Sequence, residues 1–138
     1  MLTFDPHPVR LLRPEAAPPP LTWTDRKAAL LAELGAKRFM EEPDYFIAWG
    51  SSQQGAGLGI TYPFNKEKAT AGNGTMVALS VASPDEAKKM HAKALSLGGK
   101  DEGAPGFRPA EANSGFYGAY FRDLDGNKFV AFCMVPKK

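Results

Sequence analysis

The chain is poor in the side chains that build metal and redox centres. Among 138 residues it has one cysteine, Cys133, and two histidines, His7 and His91. A lone cysteine closes no internal disulfide and supplies no cysteine-rich metal site, which fits a reducing, cytoplasmic setting. An excess of charge of one sign is also missing: 17 basic residues stand against 15 acidic ones, a net charge of +2. The basic residues are scattered, whereas a nucleic-acid surface gathers them into a patch or stripe, so no nucleic-acid partner is expected. Long apolar runs are absent too. Nothing approaches the ~20 residues of a membrane-spanning helix, and the N-terminus lacks the cationic-then-apolar order of a signal peptide. No membrane partner is expected.

What is present is an ordinary globular composition, 43% apolar and 23% charged, in a length that suits one domain with a buried core. Proline gathers at the front. Pro6, Pro8, Pro14 and Pro18–Pro20 each remove a backbone donor. Residues 1–22 are therefore expected to form a Pro-rich arm, with Val9–Leu12 suited to a short edge strand. The folded domain is expected over 23–138.

Helical signals open that domain. Thr24 can cap, Asp25 suits the first turn, Ala28, Leu31 and Leu34 recur at roughly helical spacing, and Gly35 stands where a helix ends. Strand-like segments follow at Ala36–Met40, Tyr45–Gly50 and Leu58–Tyr62, with Glu41–Asp44 as a turn and Pro63–Gly72 as a polar loop. Gly74–Ala82 alternates, Val77, Leu79 and Val81 pointing one way and Met76, Ala78 and Ser80 the other. Ser83-Pro84-Asp85-Glu86 is a capping box with proline at the first helical position. Its helix continues through Ala87, Met90, Ala94 and Leu97 and stops at Gly98-Gly99. Lys100–Arg108 is a weaker strand or loop. Phe116–Arg122 and Lys128–Met134 then flank Asp123-Leu124-Asp125-Gly126-Asn127, a turn in which Gly126 is free to take positive φ and the Asx side chains can bond nearby backbone. After the arm, the element order is αβββ and then βαβββ.

The hairpin Gly115–Met134, a strand ending in Arg-Asp-x-Asp-Gly-Asn followed by an apolar strand, resembles the last hairpin of the glyoxalase / bleomycin-resistance / extradiol-dioxygenase group, the vicinal oxygen chelate superfamily. Leu124 stands where the usual turn of that group has proline. Leu30–Phe39 and Gly72–Ala87 also resemble segments of the group. The resemblance implies an α+β fold of two βαβββ units, at about 23–72 and 73–138. Their curled mixed sheets surround a cleft, and the first unit has a divergent or missing opening strand. A homodimer is implied by the same resemblance.

Active members of this superfamily hold a divalent metal such as Zn, Ni, Fe or Mn in the cleft, through His and Glu side chains. By resemblance, the late ligand of the second unit falls three residues after Asn127, at Val130. The early ligand falls at Met76, within Gly74-Thr75-Met76-Val77-Ala78. Valine has no donor atom and a thioether is a soft, weak ligand, so no cofactor is expected. Elsewhere, His7 between two prolines reads as an arm residue, and His91, one turn after Ala87, as a surface or helix-packing residue. Asp123 and Asp125 are explained by their turn. Cys133 has the opposite parity to Val130 and is expected to face the helix layer as a small buried hydrophobe.

If Met76 and Val130 face the cleft, alternation brings Ala78, Ser80, Lys128, Phe132 and Met134 to the same side. Trp49, Tyr117 and Tyr120 lie on strands whose parity is open, and they complete the candidate lining. An apolar, aromatic cleft with few polar groups is the usual form of a small-molecule site. The expectation is a metal-free protein that binds a small, partly aromatic ligand. Two alternatives stand beside it: a divalent-metal-dependent lyase or dioxygenase of the superfamily, and a structural or interaction protein whose cleft is filled.

Overall fold

Ser83 and its neighbours set the most sharply defined boundary in the chain. The Ser83 hydroxyl accepts from the Glu86 N–H at 3.2 Å, and the Glu86 carboxylate accepts from the Ala82 N–H at 2.8 Å. Two backbone donors left over at the helix start are thereby satisfied. In the computed structural model, which describes residues 2–3, 23–42, 46–52 and 55–138, this cap opens the second of two helices. The element order is β1 (Leu2–Thr3), α1 (Trp23–Ala32), β2 (Lys37–Glu42), β3 (Phe46–Gly50), β4 (Gly57–Thr61), then β5 (Met76–Ser80), α2 (Pro84–Ser96), β6 (Lys100–Phe107), β7 (Gly115–Arg122), β8 (Lys128–Val135). The fold is α+β, with one four-stranded, unclosed sheet in each of two units, residues 1–70 and 71–138. No helix among the described residues is long and apolar enough to cross a membrane.

In the first unit the strand order is β1-β4-β3-β2, with β1 parallel to β4 and the other pairs antiparallel. The opening strand is thus present in divergent form, as two residues: Leu2 lies opposite Ile60 and Thr3 opposite Thr61. The segment Val9–Leu12 lies outside the described residues. Helix α1 ends as its sequence indicates. Gly35 sits at φ 69, its N–H donates to the Ala32 carbonyl at 2.9 Å, and the Ala36 N–H donates to Leu31 at 3.2 Å. Strand β2 runs on through Glu41 and Glu42, where the charges suggest a turn. Both pair across to Ile47 and Phe46, and all six β2 residues are exposed, so the carboxylates stay in water. Trp49 and Ile60 are the large side chains most completely buried in this unit.

In the second unit the order is β5-β8-β7-β6, β5 and β8 parallel, the rest antiparallel. The turn after β7 is held by the side chains of Asp123 and Arg122. The Asp123 carboxylate accepts from the N–H groups of Asp125 and Asn127, both at 2.9 Å, and from the Asn127 amide at 3.0 Å. Gly126 takes φ 84, and its carbonyl accepts from Arg122 at 2.7 Å. Helix α2 packs on β6, β7 and β8, burying Ala87, Met90, His91 and Ala94. Beneath it Phe121 and Phe129 stack at 5.3 Å, and the His91 ring meets Phe121 edge-on at 6.5 Å. His91 Nε2 also donates to Asp101 Oδ1 at 2.9 Å, tying α2 to β6. Lys100–Phe107 is a true strand, but two register shifts interrupt its pairing with β7; that irregularity is why its sequence reads as weak.

Two outcomes follow for stability. Ser83→Ala removes the cap of α2 and is expected to cost about 1 kcal/mol, read as a lower urea midpoint at unchanged slope. An unchanged midpoint would show that the cap is dispensable. The Asp101 carboxyl is held below its ordinary value, chiefly by the Gly103 N–H and next by His91. Its folded pKa being depressed, its ionised form contributes stability above the unfolded value, and that contribution disappears as pH falls through the folded one. Asp101→Asn is therefore expected to melt below wild type at neutral pH, with the gap closing as pH falls through and below the ordinary carboxylate range. A gap independent of pH contradicts this.

Candidate functional site: the open face of the second sheet

Period-two alternation divides the second sheet into two chemically different faces. Phe121, Ala119 and Tyr117 of β7 lie opposite Phe129, Ala131 and Cys133 of β8, and Val77 and Leu79 of β5 continue this row. This is the face under α2. Cys133 belongs to it, buried as expected, and burial pushes its thiol pKa up. The other face carries Met76, Ala78 and Ser80 from β5, Lys128, Val130, Phe132 and Met134 from β8, and Phe116, Gly118, Tyr120 and Arg122 from β7. Met76 and Met134 are exposed there, at 45% and 66%.

The expected lining residues of β5 and β8 therefore share one face, and Tyr120 joins them opposite Val130. Tyr117 does not. It pairs with Cys133, is buried, and meets Phe107 edge-on at 5.1 Å, because it stands an odd number of residues from Tyr120. Val130, at 1% exposure, is floor rather than contact surface. Trp49 lies in the first unit, buried, with the Arg38 guanidinium 5.7 Å from its ring centre. His7 and Tyr45 lie outside the described residues.

The face has an apolar half and a charged half. In the apolar half Phe116 and Phe132 stack at 5.6 Å with their planes 10° apart. The ring of Phe116 lies across Gly118, where an added Cβ would sit 2.6 Å from the ring and 3.2 Å from Val130. Gly118 is bare because a ring occupies its side-chain space. In the charged half, Arg122 Nε donates to Glu102 Oε1 at 2.6 Å. That bond is the main cause that holds the Glu102 carboxyl below its ordinary value, with Lys128 and Lys100 adding through space. Two further cations lie near the Tyr120 ring: the Arg108 guanidinium carbon and the Lys128 ammonium are each 5.5 Å from its centre. Arg108 and Glu102 escaped the sequence reading. Both belong to the irregular strand β6 and its end, where no periodicity marks which side chains face which way.

The positions that resemblance assigns to metal ligands do not fit a metal. Val130 has no donor and is enclosed by carbon, while Met76 brings only a thioether sulfur. The carboxylate on the face, Glu102, is engaged by Arg122. His91 is on the helix side and holds Asp101. Among the described residues no three His, Cys, Asp or Glu side chains converge.

No protein-family model matches the chain, and no curated protein matches it. Solved structures do. A glyoxalase/bleomycin resistance protein/dioxygenase family enzyme from Burkholderia phytofirmans is 16% identical with TM-score 0.60, over 80% of this chain and 89% of that one. A glyoxalase I variant from Zea mays is 22% identical with TM-score 0.58, over 82% of this chain and 42% of that one. These two share the fold. A glyoxalase/bleomycin resistance protein from Albidiferax ferrireducens is 33% identical with TM-score 0.66, over 78% of this chain and 83% of that one. On that identity, extending over most of both chains, this chain belongs to the glyoxalase/bleomycin resistance family.

Proposed function

We propose that the protein binds a small, partly aromatic molecule on the open face of its second sheet, without a metal. The observation that carries this reading is the stacked pair Phe116–Phe132 beside Tyr120, on a face that α2 does not cover. Flat, half-buried aromatic side chains grouped together offer a large contact area at little conformational cost, which is how small-molecule sites are usually lined. The side chains at the two ligand-equivalent positions, Met76 and Val130, support a binding role over metal-dependent lyase or dioxygenase chemistry. The same reading takes the protein as a cytoplasmic homodimer. Its support is the lone reduced thiol and the edge strand β2, exposed along its whole length and open to pairing.

The test combines metal analysis with ligand screening. After incubation with Ni, Zn, Fe and Mn and desalting, elemental mass spectrometry is expected to find far less than one metal per chain. A panel of small aromatic compounds is expected to include some that raise the melting temperature by several degrees at saturation. Ligand at 100 times its Kd contributes about 2.7 kcal/mol. Phe132→Ala is expected to remove that shift. One tightly held metal per chain, or a shift untouched by Phe132→Ala, overturns the reading.

A further inference from the structure

The charged half of the open face is not balanced. Among its ionised groups, Arg122 and Glu102 satisfy each other at 2.6 Å, Arg122 spends a second donor on the Gly126 carbonyl at 2.7 Å, and Lys100 and Lys128 act on Glu102 only through space. Arg108 and Lys128 remain. Among the described residues neither has a carboxylate within ion-pair distance. Arg108 donates to the main-chain carbonyls of Phe107 and Ala104, both at 2.9 Å, and Lys128 lies against Tyr120. Both positive charges sit the same distance from one ring, so each is within twice that distance of the other. Like charges brought together this way repel unless something of opposite sign joins them.

The placement of Arg108 is built into the backbone. Its guanidinium folds back over β6 across two glycines. A Cβ at Gly106 would stand 3.1 Å from one guanidinium nitrogen. A Cβ at Gly103 would stand 3.4 Å from the other and 3.1 Å from the Tyr120 ring. Two bonds to fixed carbonyls and a ring face hold the group, and among the described residues three of its five N–H donors have no partner. A positioned guanidinium with spare donors suits a planar or tetrahedral oxyanion, and a nearby ammonium adds a point charge. Phe132 pairs with Gly118, two residues from Tyr120, so the aromatic pair begins about 7 Å along the strand from this charge cluster.

We propose that the ligand of this face is an aromatic oxyanion, a carboxylate or phosphate joined to a small ring. The anion lies beside Arg108 and Lys128 at the edge of Tyr120, and the ring lies toward Phe116 and Phe132. This inference rests on the binding reading given above and adds the charge of the ligand to it.

The test compares benzoate, phenylacetate and phenyl phosphate with the neutral benzamide and phenylacetamide, by isothermal titration on the full chain at low and high salt. Arg108→Gln, Lys128→Gln and Arg108→Lys are each first checked for wild-type circular dichroism and melting. The expected result is at least tenfold tighter binding of an anion than of its amide, weakened by salt. Either glutamine variant is expected to lose at least fivefold affinity for the anion and none for the amide, and Arg108→Lys to recover part of the loss. Benzoate against phenyl phosphate then separates the two oxyanions. Amides that bind as tightly as the anions, or anions indifferent to both glutamine variants, overturn the charge assignment while leaving an aromatic site standing. If no member of either series binds, the binding reading falls and this inference with it.

Discussion

The register of β8 between β5 and β7 is the constraint on which the second unit depends. A slip by one residue turns every side chain of a strand to the opposite face. Here such a slip would lift Phe129, Ala131 and Cys133 out from under α2 and drive Lys128 and Met134 into the core. The Asp123 carboxylate guards against it by gathering two backbone N–H groups and the Asn127 amide into the turn. Arg122 fastens the turn from one side through the Gly126 carbonyl. With the hairpin closed this way, Phe121 meets Phe129 and Tyr120 meets Val130, and the division into a core face and an open face follows.

The two faces then do different work. Under α2 the packing is apolar, and His91 bonds Asp101 at its rim. On the open face the chemistry is mixed, with stacked phenylalanines at one end and three cations with one carboxylate at the other. In this chain the two positions that the resemblance assigns to ligands carry methionine and valine, Met76 and Val130.

Much of the architecture was legible in residues of strong local preference. The capping box at Ser83, the glycine after α1, the Asx-Gly turn and the alternation of Gly74–Ala82 each act through neighbours close in sequence, and each stands where it was expected. Signals failed where pairing overrides local character. Glu41 and Glu42 read as a turn but extend β2, because partners in β3 take up their backbone groups and water takes their charges. Leu2–Thr3 carries too little sequence to announce a strand, yet it pairs alongside β4.

For the site, the sequence alone determined which residues of β5 and β8 share a face, because parity within a regular strand is a local property. The two positions that the resemblance assigns to ligands carry carbon and sulfur instead of nitrogen and oxygen. Only the tertiary structure decided between Tyr117 and Tyr120, since the parity of β7 relative to β8 comes from the register of the hairpin. Only it placed Arg108 on the Tyr120 ring, because that contact crosses two breaks in the pairing of β6 and depends on bare glycines under the guanidinium. Charge compensation is likewise a property of distance in space. Among the described residues Arg122 bonds Glu102, while Arg108 bonds main-chain carbonyls and Lys128 lies against a ring, and no pattern along the chain records which cation holds the carboxylate.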